Sequence, residues 1–303
     1  MGLSIAENFR GIFYIPFYVL RERGEADRNG LQITWLAPGA PGGAIDDVKS
    51  GRIDLTWGGP MRVMIDHDTS ADDERRLVSV SQTVGKDPFC LLTRKADMRL
   101  EDLPTQRLAV VKEVPTPWLC LQLDLSDRAI SLPRVVRQDL DMAGQFQALE
   151  HGDVDVIQAF EPFVSRALRT GDTQLLYAAS SRGPTVYTGF ITSRQTLNKR
   201  LDAIKALDRA MGNTLGWMHS VSAAEVAACV QSYFPETELI DLEASISRYL
   251  EADVWSRTTH LERAGFDRLA ESFLRGGALR ARPSYEHCVF NFGDLDHVTE
   301  QHV

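Results

Sequence analysis

Two stretches decide how this chain is read: Val48-Lys49-Ser50-Gly51-Arg52-Ile53-Asp54-Leu55 and Leu149-Glu150-His151-Gly152-Asp153-Val154-Asp155-Val156. Each begins as the end of a helical pattern, stops at a Gly, and resumes as a strand with an Asp between two apolar residues. Each then reaches a Pro, Pro60 or Pro162, placed to open another helix. Gly tolerates the left-handed conformation that ends a helix, and Pro is pre-set for a first helical turn. The two glycines lie about a hundred residues apart, too far for a solenoid repeat. The pair predicts two similar α/β lobes, each offering the same strand-to-helix loop. The competing reading is coincidence, because Gly followed by such a strand start is a common turn.

Outward from the first stretch, strand and helix alternate. Residues 3–6 read as a strand, 16–23 as a helix stopped by Gly24, and 31–36 as a strand of alternating polarity. A turn follows over 38–43, then a short helix over 44–50, a strand over 53–57, and a helix over 61–66 behind Gly58-Gly59-Pro60. This order makes a parallel sheet covered by helices. The polar run 69–74 reads as a loop. Residues 77–82, 89–93, 108–111, 134–136 and 186–192 read as further strands, with a loop over 113–117, a helix from Trp118 and another over 143–150. From Leu197 onward the pattern is mostly helical, over 197–220, 223–233, 242–255 and 266–275. The runs 89–93 and 186–192 are the natural crossings between lobes. That predicts a discontinuous lobe I of residues 1–84 and 188–303, and a lobe II of residues 85–187.

The 303 residues carry a net charge of -9 with 44% hydrophobic and 25% charged residues. That balance, with no Lys/Arg cluster, argues against a nucleic-acid partner. No stretch approaches the roughly 18 apolar residues of a membrane span. The strand-like start, followed at once by Glu7-Asn8, lacks the apolar core of a secretory signal. As written, the sequence is expected to be cytoplasmic, and periplasmic if a native signal precedes it. Cys90, Cys120, Cys229 and Cys288 show no metal-ligand spacing and read as buried thiols.

The ordered set of motifs resembles a known family. DVKSGRIDLTWGGP (47–60), LEDLPTQRLAVV (100–111) and ALEHGDVDVIQAFEPFV (148–164) look like type II periplasmic binding proteins. The match is nearest to the alkanesulfonate-, taurine- and nitrate-binding proteins and the hydroxymethylpyrimidine-related group, over roughly residues 1 to 220. The resemblance implies two α/β lobes with mixed sheets, two crossover strands and a small ligand in the cleft. It also implies an ABC permease as partner, and no cofactor.

Ligands of open α/β sheets sit beyond the carboxyl ends of strands, where helix N-termini favour anionic groups. By position, the candidates in lobe I are Asn8, Phe9 and Arg10, then Gly42 and Gly43, then Trp57, Gly58, Gly59 and Arg62. Those in lobe II are Thr116, Pro117 and Trp118, then Phe160 and Glu161, with Tyr187 at the return crossing. The aromatics suit a flat ligand, against a plain core role. Arg62 is a cation in a first helical turn, suited to a carboxylate or sulfonate, unless it merely pairs with Asp66. Glu161 is suited to an amino or ring N–H group, unless it caps its own helix. His67 is a proton-transfer candidate that otherwise reads as a surface residue at a helix end.

The primary expectation is a binding protein for a small organic ligand, aromatic or acidic. The rival is a cytoplasmic lyase or decarboxylase on the same fold, using Arg62, His67 and Glu161. Two enzyme types of this fold are disfavoured by the residues present. The third-strand loop Trp57-Gly58-Gly59-Pro60 lacks the cofactor-holding Lys of hydroxymethylpyrimidine synthases. Glu7-Asn8-Phe9-Arg10 lacks the Cys of desulfinases.

Overall fold

The computed structural model describes residues 1–37, 42–70, 73–112 and 114–294. Parts of three expected loops, at 38–41, 71–72 and 113, lie outside the described residues. The chain begins β1 (Gly2–Ala6), α1 (Ile15–Glu22), α2 (Glu25–Arg28), β2 (Gln32–Leu36), α3 (Ile45–Ser50), β3 (Leu55–Gly58), α4 (Met61–Thr69) and β4 (Leu77–Val84). It continues β5 (Cys90–Thr93), β6 (Arg107–Ala109), α5 (Thr116–Asp127), β7 (Arg134–Arg137), α6 (Met142–Glu150), β8 (Val156–Ala159), α7 (Phe163–Thr170), β9 (Gln174–Ala178) and β10 (Thr188–Ser193). The rest of the described chain is helical: α8 (Arg194–Lys199), α9 (Leu201–Met218), α10 (Ala223–Val230), α11 (Leu239–Glu251), α12 (Arg263–Arg275) and α13 (Tyr285–Cys288).

The strands form two five-stranded mixed sheets, ordered β2-β1-β3-β10-β4 and β7-β6-β8-β5-β9. In the first, β1 runs parallel to β2 and β3, while β10 is antiparallel to β3 and β4. In the second, β6 is parallel to β7 and β8, and β5 is antiparallel to β8 and β9. The two sheets match position by position. β9, absent from the sequence reading, is the edge strand of the second sheet; its half-exposed residues lack the alternation that marks a strand.

The repeat that opened the sequence reading is structural rather than coincidental. Gly51 and Gly152 take φ of +73° and +74° just beyond α3 and α6. Gly51 N–H donates to Val48 O and Arg52 N–H to Asp47 O; Gly152 N–H donates to Leu149 O and Asp153 N–H to Ala148 O. The repeated Asp has one job in both units. Asp54 Oδ2 accepts from the Ser4 amide of β1 at 2.8 Å, and Asp155 Oδ2 accepts from the Arg107 amide of β6 at 2.9 Å. Each Asp thus fastens the parallel neighbour whose edge amide lacks a ladder partner.

Two chain segments connect the sheets, between β4 and β5 and between β9 and β10. They are pinned together by a buried ionic cluster. Asp87, on the outgoing segment, accepts from Arg182 Nη1 of the returning segment at 3.0 Å. Arg182 Nε also donates to Asp124 of α5 at 2.9 Å, and Asp124 takes bonds from Tyr177 and from Arg268 of α12. A third segment runs beside the first: Gly85 N–H donates to Val254 O, and Ser256 N–H to Thr83 O.

Candidate functional site

Equivalence of the two units locates four strand-to-helix junctions, after β1, β3, β6 and β8. Three of them, together with the crossing segments, enclose one cavity of about 30 Å³. Its wall comprises Asn8, Phe9, Phe13 and Tyr14 after β1, and Gly59, Met61 and Arg62 after β3. Val114 and Thr116 contribute from the junction after β6, and Phe89, Tyr187 and Thr188 from the crossings. That volume holds about one water molecule, so an organic ligand enters only when these walls separate.

The cavity's chemistry is one-sided. Among its described residues five side chains are aromatic, none is a carboxylate, and Arg62 is the one cation. Asp66, the expected partner one turn on, is engaged elsewhere: it pairs with Lys49 of α3 and accepts from the Leu77 amide at 2.9 Å. No carboxylate lies within ion-pair distance of the Arg62 guanidinium among the described residues. Burial alone pushes its pKa down, with only the Tyr14 hydroxyl to counter it. The neighbouring polar groups hold position for it. Asn8 Oδ1 accepts from the Gly42 amide at 3.1 Å, while Asn8 Nδ2 donates to the Tyr14 hydroxyl at 3.4 Å. Tyr187 presents a buried hydroxyl with no hydrogen-bond partner among the described residues. The helices α4 and α5 begin beside the cavity at Pro60 and Pro115, neither of which supplies a capping side chain. Their first amides therefore add positive potential from both sides.

Glycine is required where the guanidinium rests. A Cβ on Gly42, at φ +77°, would lie 1.9 Å from Arg62 Nη1. Gly42→Ala is therefore expected to expel Arg62 from its seat. Titration calorimetry with benzoate should show about a tenfold loss of affinity relative to the unmodified chain. The left-handed backbone costs about 1 kcal/mol, readable in a parallel urea unfolding curve. Unchanged affinity would show that the seat is irrelevant to the site.

Of the sequence candidates, Asn8, Phe9, Gly59, Arg62, Thr116 and Tyr187 line the cavity. Gly42 and Gly58 lie directly behind Arg62, and Gly43 lines the outer side of the same guanidinium, between α3 and α4. Phe160 stands one layer back, its ring 5.9 Å from Phe13 and 5.3 Å from Phe89.

Five candidates are corrected. Trp57 is buried in the first core, stacked on Phe17 at 4.5 Å, because β3 is the central strand of a sheet covered on both faces. Trp118 packs into the apolar cluster beneath α5, as its helical position turns it from the cavity. Arg10 folds back onto Glu7 and over the rings of Tyr18 and Tyr233. Glu161 is 1% exposed and saturated: it accepts from the Ser165 amide and hydroxyl, from Ser245 and from Arg248. It caps its own helix α7. His67 lies apart from the cavity, its Nε2 2.9 Å from Leu77 O, and burial pushes its pKa down.

The reading missed Phe13, Tyr14, Met61, Phe89, Val114 and Thr188. Phe13 and Tyr14 belong to a single helical turn, Ile12–Tyr14, too short to leave a periodic signal. Phe89 could have been found from topology, since a residue on a crossing segment necessarily borders both lobes.

Comparison with known proteins follows the same lines. Residues 13–221 match the family model described as NMT1/THI5 like. YtlA of Bacillus subtilis (strain 168), named as a binding protein, is 21% identical over 294 residues, covering 95% of this chain and 87% of its own. Among solved structures, the periplasmic aliphatic sulphonate binding protein SsuA of Escherichia coli superposes with a TM-score of 0.76 at 17% identity, covering 95% of this chain and 92% of that one. The periplasmic nitrate-binding protein NrtA of Synechocystis PCC 6803 gives 0.67 at 13% identity, covering 99% and 88%. The fold is that of the type II periplasmic binding proteins.

Proposed function

The chain belongs to the NMT1/THI5-like family, and from that premise we propose that it is a solute-binding protein of the ABC-import type, taking one small acidic organic molecule into the cavity at Arg62. One observation carries the choice of an acid: a half-buried guanidinium that has no carboxylate partner among the described residues, in a cavity wall whose described residues include no carboxylate. A desolvated cation of this kind is stabilised by an incoming anion, which its two-pronged geometry grips through paired hydrogen bonds. The aromatic walls, Phe9, Phe13, Tyr14, Phe89 and Tyr187, favour a ligand whose remainder is flat or apolar. SsuA and NrtA, a sulphonate- and a nitrate-binding protein by name, are anion binders, which supports the same reading.

In this reading the lobes part to admit the solute and close on it, and a membrane permease receives the closed form. Its place of work is outside the cytoplasmic membrane, in line with the periplasmic SsuA and NrtA. No helix of the described residues is long and apolar enough to cross a membrane.

The test pairs acids with their uncharged isosteres in thermal unfolding: benzoate with benzamide, and a short alkanesulfonate with its sulfonamide. At a hundred times its Kd a ligand adds about 2.7 kcal/mol to stability, so a true ligand is readily seen. The acids are expected to raise Tm and the isosteres to leave it unmoved. Equal shifts from acid and amide would refute the acidic ligand.

A further inference from the structure

We propose that Tyr187 is a specificity-determining residue whose hydroxyl donates to a second, uncharged group of the ligand. The solute is then an acid that carries a hydroxyl, carbonyl or ring nitrogen away from its acidic group. The proposal rests on the acidic-ligand reading above, and one arm of its test needs no ligand.

Tyr187 stands one residue before β10, where its amide donates to Val84 O at 2.9 Å. It belongs to the cavity wall, its ring centroid 6.1 Å from that of Phe89, and it is 7% exposed. The hydroxyl at its tip is buried and has no hydrogen-bond partner among the described residues. The acids whose charge reaches it are engaged elsewhere. Asp87 accepts from the Phe89 amide at 2.9 Å with one oxygen and from Arg182 at 3.0 Å with the other, and the Cys120 thiol is bonded to Ser272. Burial first, then the negative field of Asp87 and Cys120, pushes the phenol's pKa well above its ordinary value, against Arg182. The group therefore stays a donor. A buried donor without an acceptor has lost its hydration and gained nothing in return. A ligand that brings the acceptor recovers that loss, and an analogue lacking it does not.

The two phenols of the cavity keep different company. Tyr14 is the one that feels the charge of Arg62, on α4. Its hydroxyl accepts from Asn8 at 3.4 Å, which leaves its own proton available to the acidic group. Tyr187 instead feels Asp87 and Cys120, the latter one turn beyond Thr116 on α5. The second donor thus belongs to the α5 side of the cavity, and the guanidinium to the α4 side. The group that meets Tyr187 is uncharged for a reason of charge balance. Arg182, the cation whose charge reaches Tyr187, is already shared between Asp87 and Asp124. A second anion placed here would share the field of Asp87 without a counter-charge.

Titration calorimetry tests this by comparing benzoate with the hydroxybenzoates, the pyridinecarboxylates and the benzenedicarboxylates. The best acid with an uncharged substituent is expected to bind about tenfold more tightly than benzoate, the gain of one hydrogen bond to a buried donor. The dicarboxylates should bind no more tightly than benzoate. Tyr187→Phe should bring the tenfold ratio to about one. Without ligand, the same variant should melt no lower than the unmodified chain, since the hydroxyl it removes has no partner to lose. A ratio that survives Tyr187→Phe, a dicarboxylate that binds best, or a drop of several degrees in the empty variant's Tm overturns the proposal. Benzyl alcohol and 4-hydroxybenzyl alcohol separate it from the function reading. A Tyr187-dependent preference between these two, with no acid bound, would refute the acidic solute and leave the role of Tyr187 intact. Acids that bind without preferring any substituent would do the reverse.

Discussion

Arg62→Met is expected to remove binding of an acidic solute while making the empty protein more stable. The two effects share one cause. The guanidinium is partly withdrawn from water, has no ion-pair partner among the described residues, and has its pKa pushed down by that burial. Replacing it with an apolar side chain of similar length relieves the desolvation, for a gain of about 1 kcal/mol, or about 2–4 °C in a chain of this size. Losing the charge-assisted fork costs the ligand about 3 kcal/mol or more, roughly a hundredfold in Kd. Arg62→Lys keeps the charge and loses the fork, so it should fall between the two. Calorimetry with the acid that binds best, beside melting curves of the three proteins without ligand, reads both quantities. A variant that loses stability and keeps affinity would assign Arg62 a structural role.

Most of the framework was legible because it is written in local chemistry. The Gly51 and Gly152 units announce two equivalent lobes, since a left-handed glycine, a fastening Asp and a helix-opening Pro each leave a residue-level mark. What separates the two units was less visible. Just before the helix-opening Pro, the first unit has Gly59 and the second has Glu161. In the first, the start of α4 is left uncapped beside the cavity. In the second, Glu161 fills the corresponding place and is itself held by α11. The sequence shows the acid next to Pro162 but not the Ser245 and Arg248 that saturate it, which come from more than eighty residues downstream. The same limit applies to the aromatics. Trp57 lies near the end of β3 and Phe9 just beyond β1, yet only the position of β3 at the centre of its sheet decides that Trp57 is core.

Arg182→Met is expected to be the most damaging single change in the molecule, and its cost should depend on pH. Arg182 is 3% exposed on its side chain and sits between Asp87 and Asp124, each at most 1% exposed. Removing the cation leaves the Asp87 carboxylate buried without a counter-charge, while Asp124 keeps Arg268, at a cost of about 3–5 kcal/mol. The pH dependence follows from Asp87. Burial chiefly, with the charge of Asp124, pushes its carboxyl up to about 6, while Arg182 opposes the rise. A folded-state pKa above the ordinary 3.8 means that the folded form holds this proton more tightly. The stability contributed by the proton is complete below about 4 and is lost as pH climbs toward 6, some 3 kcal/mol in all. Without Arg182 the carboxyl rises further and the same loss extends to higher pH. The variant's deficit should therefore be largest near pH 7.5 and shrink by half or more at pH 4.5, where Asp87 is protonated in the folded chain. Urea unfolding of both proteins at the two pH values measures this. An equal deficit at both would mean that Arg182 acts by packing alone, and that the crossing segments are not held by charge.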